Sequence, residues 1–88
     1  MENIYLNDEY SVELIKNLKK YHLDDNVMIL TAMKFAKKYH DGKKRKYGET
    51  YYMHPVNVAI LVLEFTQFPE PICAALLHDT LGSVVMRF

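Results

Sequence analysis

Two histidines and an aspartate are the residues of this sequence best suited to hold a metal ion. His54 stands directly before Pro55, and His78 is followed at once by Asp79. Imidazole nitrogens and carboxylate oxygens suit a borderline divalent cation such as manganese, iron or zinc. Taken singly, each residue has a commoner explanation as a loop residue, a cap or a partner of a helix dipole. The metal hypothesis therefore depends on whether the fold brings the three together.

A basic stretch, Lys43-Lys44-Arg45-Lys46, lies a few residues before His54. The guanidinium group of Arg45 can hold phosphate oxygens bidentately or stack on a base, and Lys44 or Lys46 can neutralise further charge. The plainer alternatives are a solvated loop or a weak nucleic-acid patch. Its position just upstream of His54 favours a pocket for a phosphorylated substrate.

Hydrophobic spacing predicts that the elements around these residues are helices. A first helix is expected from about Asp8 to Tyr21, capped by Asn7, and a second from after Asp24 to about His40. The expected buried residues of the first helix are Val12, Ile15, Leu18 and Tyr21. Those of the second are Ile29, Met33, Ala36 and Tyr39 or His40, with Met28, Ala32 and Phe35 broadening the stripe.

The third and fourth helices carry the metal-binding candidates. Pro55 is expected to open the third helix, which ends near Phe65 or Thr66 and is apolar enough on all sides to be the buried centre of a bundle. Pro69 should break the chain, and Pro71 should open the fourth helix. Taken as residues 56–66 and 71–80, the two helices are about 16 and 15 Å long. The short connection favours antiparallel neighbours, so His54 should approach His78 and Asp79 at one end of the bundle.

Composition limits the class of protein. The chain has 88 residues, with eleven basic and eleven acidic side chains that cancel, so attraction for an anion must be local. Cys73 is the only cysteine, which excludes an internal disulfide. The first residues do not resemble a signal peptide, and the apolar runs fall short of the roughly 20 residues of a membrane span. We therefore expect a cytoplasmic protein that binds neither membranes nor nucleic acid.

Two long motifs together resemble a known family. The first is His40-x-Gly42-x-x-Arg45-Lys46-x-Gly48-Glu49-x-Tyr51-x-x-His54-Pro55, followed by Val58-Ala59, and the second is Ala74-Ala75-Leu76-Leu77-His78-Asp79-Thr80. In this order they closely resemble the N-terminal hydrolase domain of the bifunctional guanosine tetraphosphate synthetase/hydrolase family, the Rel/Spo enzymes of the stringent response. The likeness covers roughly residues 24–81.

The resemblance implies an all-α, HD-domain-like bundle, of which this chain would hold about four helices. It implies manganese-dependent removal of the 3′-pyrophosphate from (p)ppGpp, with His54, His78 and Asp79 as metal ligands. It also implies that Arg45 and Lys46 bind the guanine nucleotide. The expected organisation is a single partial domain over 1–88, with an N-terminal helix in 1–23, the family-like region in 24–81 and a divergent tail in 82–88.

The sequence departs from the family pattern after Thr80. Where the family has a Glu-Asp pair that handles water and proton transfer, this chain has Gly82 and Ser83, neither of which is a general acid or base. The family's fourth ligand, an aspartate further along, is expected to be missing. No catalytic residue is therefore assigned, and the expectation is a truncated, inactive hydrolase-like protein. The alternatives are a subunit of a split hydrolase completed by another chain, a homo-oligomer, or a non-catalytic interaction module.

Overall fold

The computed structural model describes residues 4–40 and 51–85, with side chains up to Thr80 except that of Asp79. Over these ranges the chain forms four helices and no strand: α1 (Glu9–Lys19), α2 (Val27–His40), α3 (Met53–Phe65) and α4 (Pro69–Val85). The all-α class and the four-helix content predicted from the sequence are confirmed. No helix in the described ranges has the length and apolar character needed to span a membrane.

Helix α1 begins one residue later than expected, because Asp8 rather than Asn7 caps it. The Asp8 carboxylate accepts a hydrogen bond of 3.0 Å from the backbone N–H of Ser11, which satisfies one of the unpaired donors of the first turn. The predicted buried stripe was partly wrong, since Val12 and Tyr21 are exposed. The residues of α1 that are buried are Ser11, Leu14 and Leu18.

A left-handed residue ends α1 and turns the chain toward α2. His22 has φ 60°, and around it the N–H groups of His22 and Leu23 donate to the carbonyls of Lys19 and Leu18. This is the hydrogen-bond pattern of a Schellman motif, which most often uses glycine at the left-handed position. His22 is exposed, as expected of a surface histidine.

Helix α2 begins at Val27, later than the expected start after Asp24. The Asn26 side-chain oxygen accepts a 3.0 Å hydrogen bond from the N–H of Ile29 and so caps the helix. Its buried residues are Ile29, Ala32, Met33, Ala36 and His40. The expectation that Met28 and Phe35 broaden this buried stripe was wrong, since both side chains are exposed.

Helices α3 and α4 form a hairpin joined by residues 66–68. The start of α3 lies at Met53 rather than at Pro55, and α4 starts at Pro69, which was expected to break the chain. A proline at the first helical position loses no helical hydrogen bond, and Pro71 still lies in the turn whose N–H groups have no partner within the helix. Helix α4 also extends beyond the predicted residue 80 to Val85.

The hydrophobic core joins all four helices, with α3 packed on α1 and α4, and α2 packed on α4. Helix α3 is not the fully buried centre that its composition suggested. It buries Pro55, Val56, Ala59 and Leu63, while Leu61 is 56% and Phe65 is 81% exposed. The core residues are Leu14, Leu18, Ile29, Ala32, Met33, Ala36, Tyr52, Val56, Ala59, Leu63, Ile72, Cys73, Ala75 and Leu76.

An ion pair ties α1 to α2 at the edge of this core. The Lys37 ammonium lies 2.9 Å from Asp8 Oδ1 and also donates to the backbone carbonyl of Tyr5. Burial raises the pKa of the Asp8 carboxyl, but its hydrogen bonds with Lys37 and Ser11 outweigh that effect and hold the pKa below its ordinary value of 3.8.

Candidate metal centre

His54 is the second residue of α3, and its side chain is exposed at the end of the hairpin away from the connection. Its backbone N–H donates to the carbonyl of Tyr51 at 3.2 Å. Pro55, the next residue, is buried and fits the first turn of α3 without losing a helical hydrogen bond. Because His54 lies near the start of α3, its imidazole is at the end of the bundle.

His78 lies on α4, and a short hydrogen bond orients its ring. Its Nδ1 is 2.6 Å from the carbonyl oxygen of Ala75, one turn earlier on the same helix. A carbonyl oxygen can only accept, so the hydrogen bond places the proton on Nδ1. A ring N–H donated to a backbone carbonyl in this way is typical of metal-binding histidines, in which the other ring nitrogen, Nε2, is the ligating atom.

The hairpin brings the two imidazoles together. Their ring centres are 5.2 Å apart and their planes are inclined by 65°. Two imidazole nitrogens on one ion, each about 2.1 Å from it, place their ring centres about 5 Å apart. The spacing of His54 and His78 therefore fits shared coordination of one divalent ion, and the close approach expected from the antiparallel helices is confirmed.

The remaining predicted site residues lie outside the described part of the structure. Asp79 follows His78 within α4, but its side chain is not described, and Arg45 and Lys46 fall in the segment 41–50. Gly82 and Ser83 lie in the last turns of α4, where only the backbone is described. Among the side chains that are described, no group of three or more metal-ligand residues is present. The imidazole pair is thus the described portion of the candidate site.

The segment 41–50, which holds the basic stretch, is flanked by two described residues that lie close together. It follows His40, the buried last residue of α2, and precedes Tyr51; the rings of these two residues are stacked with centres 6.5 Å apart. The ring of Tyr39 adds an edge contact with His40 at 5.1 Å. His40 is thus buried at the end of α2, as its place in the expected buried stripe predicted, and Tyr51 beside it leads directly into α3.

The sequence analysis did not predict a buried hydrogen bond that joins α1 to the start of α3. The hydroxyl groups of Ser11 on α1 and Tyr52 at the start of α3 lie 2.8 Å apart, and both residues are buried. Loss of water around the phenol raises the pKa of Tyr52 to about 12, despite the opposing effect of its hydrogen bond with Ser11. The available signal was the spacing of Ser11, Leu14 and Leu18, which places all three on one helical face.

An apolar groove between α2 and α4 is a second feature that the sequence did not predict. Its volume is about 380 Å³, and its lining residues are Met28, Thr31, Ala32, Phe35, Cys73 and Leu77. Burial raises the pKa of the Cys73 thiol, and the nearby charge of Glu70 adds to the effect. No charged side chain lines this groove, so its chemistry suits an apolar surface and not a phosphate.

Comparison with known proteins shows which family the sequence matches. The family described as HD domain matches residues 32–86. A guanosine-3′,5′-bis(diphosphate) 3′-pyrophosphohydrolase of Aquifex aeolicus is 53% identical over 53 residues, which are 60% of this chain and 8% of that protein. A probable enzyme of the same name from Mycoplasma pneumoniae is 33% identical over 66 residues, 75% of this chain and 9% of the relative.

A third relative carries a different name. The GTP pyrophosphokinase rsh of Brucella ovis is 34% identical over 70 residues, covering 78% of this chain and 9% of the relative. The chain thus spans less than a tenth of the length of these three relatives. No solved structure matches it.

Proposed function

The chain belongs to the HD domain family, and from this premise we propose that it carries part of a divalent-metal site of the guanosine tetraphosphate hydrolase type. The proposed ligands are His54, His78 and Asp79. The observation that carries the proposal is the 5.2 Å approach of the two imidazole rings across the α3–α4 hairpin. Asp79 would add a carboxylate from the residue next to His78, and manganese is the proposed ion.

The chain's own residues would hold and orient the ligands. The Ala75 carbonyl fixes the proton on Nδ1 of His78, which leaves Nε2 for the ion. His54 is held by the first turn of α3, whose Pro55 and Val56 are buried in the core. A bound divalent ion in such a site supplies a hydroxide near neutral pH and polarises a phosphoryl group.

The proposed ligand class is a phosphorylated guanine nucleotide, (p)ppGpp. Two of the relatives are named for a guanosine bis(diphosphate), and the likeness between them and this chain supports the same class here. Arg45 and Lys46 are proposed to bind it. The supporting observation is that the segment 41–50 is bounded by His40 and Tyr51, whose rings stack beside the start of α3. Arg45 and Lys46 also precede the proposed ligand His54 by only nine and eight residues in the sequence.

We expect binding without turnover. Gly82 and Ser83 occupy the positions at which the family pattern has its Glu-Asp pair; glycine has no functional group, and a serine hydroxyl is not a general acid or base near neutral pH. The proposed function is therefore a metal- and nucleotide-binding, hydrolase-like domain without the family's proton-transfer pair at these two positions.

Titration with Mn²⁺ by calorimetry, accompanied by metal analysis of the purified protein, tests the proposal. One Mn²⁺ should bind to the wild type, and His54→Ala or His78→Ala should weaken binding by at least about 10-fold. His22→Asn is the matched control. It also removes an exposed histidine, and asparagine tolerates the left-handed backbone at this position. Equal affinities for the wild type and His54→Ala would refute the imidazole site.

A second candidate function is association with a chain that supplies the rest of the hydrolase site. The observation that favours it is apolar surface: the groove between α2 and α4, together with Leu61, Phe65 and Phe68, which are exposed. Sedimentation of the purified protein alone, and with a polypeptide carrying the remaining part of such a domain, tests this candidate. A chain that stays monomeric and shows no ppGpp hydrolysis in both samples would exclude it.

A further inference from the structure

The start of α3, which carries His54, has no side-chain cap. Tyr52, at its N-cap, has helical backbone angles, and its side chain makes no capping hydrogen bond. The N–H groups of a first helical turn have no partner within the helix, so a helix without a cap is prone to fray there. His54 lies in this turn, and its N–H donates to the Tyr51 carbonyl at 3.2 Å. This bond is local, and a further contact joins the turn to the rest of the bundle.

That contact comes from α1. The Tyr52 side chain is 3% exposed, and its hydroxyl lies 2.8 Å from the hydroxyl of Ser11, which is 0% exposed. A buried hydroxyl without a partner is costly, so each group stabilises the position of the other. The bond joins residues 41 positions apart in sequence and determines how the first turn of α3 sits on α1.

Ser11 is itself held in place. Its backbone N–H donates to Asp8 Oδ2 at 3.0 Å, and the other carboxylate oxygen of Asp8 lies 2.9 Å from the Lys37 ammonium on α2. A line of polar contacts therefore runs from α2 through the N-cap of α1 to the start of α3. Each contact fixes the donor or acceptor needed for the next.

The position of Tyr52 determines where His54 points. Two successive steps along a helix turn a side chain through about 200°. With Tyr52 anchored on α1, His54 is therefore directed to the opposite side of α3. That is the side on which α4 presents His78, whose ring centre is 5.2 Å away.

We propose that Ser11 and Tyr52 are positioning residues for the imidazole pair, their buried hydrogen bond setting the rotation of the first turn of α3 so that His54 meets His78. The consequence for metal affinity rests on the proposed function. The consequence for the spacing of the two rings does not, because it concerns the protein without metal.

The test uses Tyr52→Phe and Ser11→Ala, each of which removes one hydroxyl and keeps most of the buried shape. Ile29→Val is the matched control, since it also trims a fully buried side chain but lies on α2, outside the α3–α4 hairpin. Two quantities are measured for each: the nuclear Overhauser contact between the His54 and His78 rings in metal-free protein, and the dissociation constant for Mn²⁺.

We expect both hydroxyl variants to weaken the ring contact and to raise the Mn²⁺ dissociation constant by about 10-fold, the effect typical of losing a supporting hydrogen bond around a metal site. The double variant should resemble either single variant, because the two share one bond. The Ile29→Val protein should match the wild type in both measurements.

Two results would overturn the proposal: ring contacts at wild-type strength in both hydroxyl variants, or an equal loss of contact in Ile29→Val. If the wild type binds no Mn²⁺, the proposed function fails, but the ring contacts still decide the positioning role. If Tyr52→Phe does not fold, Ser11→Ala decides, since it leaves the aromatic ring in the core.

Discussion

The carboxylate of Asp8 lies 2.9 Å from the ammonium group of Lys37, so that the residue capping α1 is also bound to α2. One side chain thereby completes the first turn of a helix and connects that helix to its neighbour. The ionised carboxylate makes both the cap of α1 and the contact with Lys37, so protonation of Asp8 in acid should weaken both.

Asp8→Asn is expected to remove part of the acid sensitivity of folding. The pKa of Asp8 is lowered in the folded state, so the ionised form stabilises the protein. This contribution is fully present above the ordinary pKa of 3.8 and is lost as the pH falls through the lower, folded value. Urea unfolding of the wild type and Asp8→Asn at pH 7 and near pH 3 should show a difference in stability that narrows in acid. The same difference in stability at both pH values would contradict a lowered pKa of Asp8 in the folded state.

Tyr52→Phe is expected to remove a sensitivity to alkali. Burial raises the pKa of Tyr52 from 10.0 to about 12, so the folded state keeps a proton that the unfolded state loses. The stabilisation is fully present below pH 10 and falls as the pH rises toward 12, by up to about 2–3 kcal/mol. Thermal unfolding between pH 9 and 11.5 measures the effect. Tyr51→Phe, which alters the exposed neighbour, should keep the wild-type slope.

Leu76→Ala is expected to lower the free energy of unfolding by about 2–5 kcal/mol, because it opens a cavity at a side chain with no exposed surface. Leu61→Ala makes the same chemical change on the exposed side of α3 and should alter stability by less than about 0.5 kcal/mol. Urea unfolding of the two variants under identical conditions provides the comparison. Similar losses in both would show that the open side of α3 is covered in solution.

Incubation of the purified chain with ppGpp and Mn²⁺ should release no pyrophosphate. The reason is chemical: Gly82 has no side-chain functional group, and the hydroxyl of Ser83 stays un-ionised near neutral pH, so neither can act as a general base as a carboxylate does. Product release followed by chromatography is the measurement. Turnover that survives repeated purification and disappears in His78→Ala would contradict this expectation.

The meeting of His54 and His78 could be predicted from the sequence because it depends only on local quantities. Apolar spacing placed two helices, a short connection made them antiparallel, and the rise per residue placed one histidine near the start of α3 and the other opposite it on α4. The same reasoning predicted the class of fold. Errors of two residues at the starts of α3 and α4 did not disturb the pairing.

The face of α1 could not be predicted in the same way. Val12 and Tyr21 are apolar and were expected inside, whereas Ser11 is buried because the hydroxyl of Tyr52 is there to pair with it. A buried serine needs a partner for its hydroxyl group, and here the partner is 41 residues away, where no local pattern reveals it. The exposure of Leu61 and Phe65 likewise depends on which helices lie beside α3, not on α3 itself.

Residues 66–68 join α3 and α4 at one end of the hairpin, and the two histidines lie toward its open end. An ion bound by both histidines would oppose separation of the two helices at that end. Because a ligand bound only by the closed form favours that form by mass action, added Mn²⁺ should slow amide hydrogen exchange along both helices, well beyond the histidines themselves.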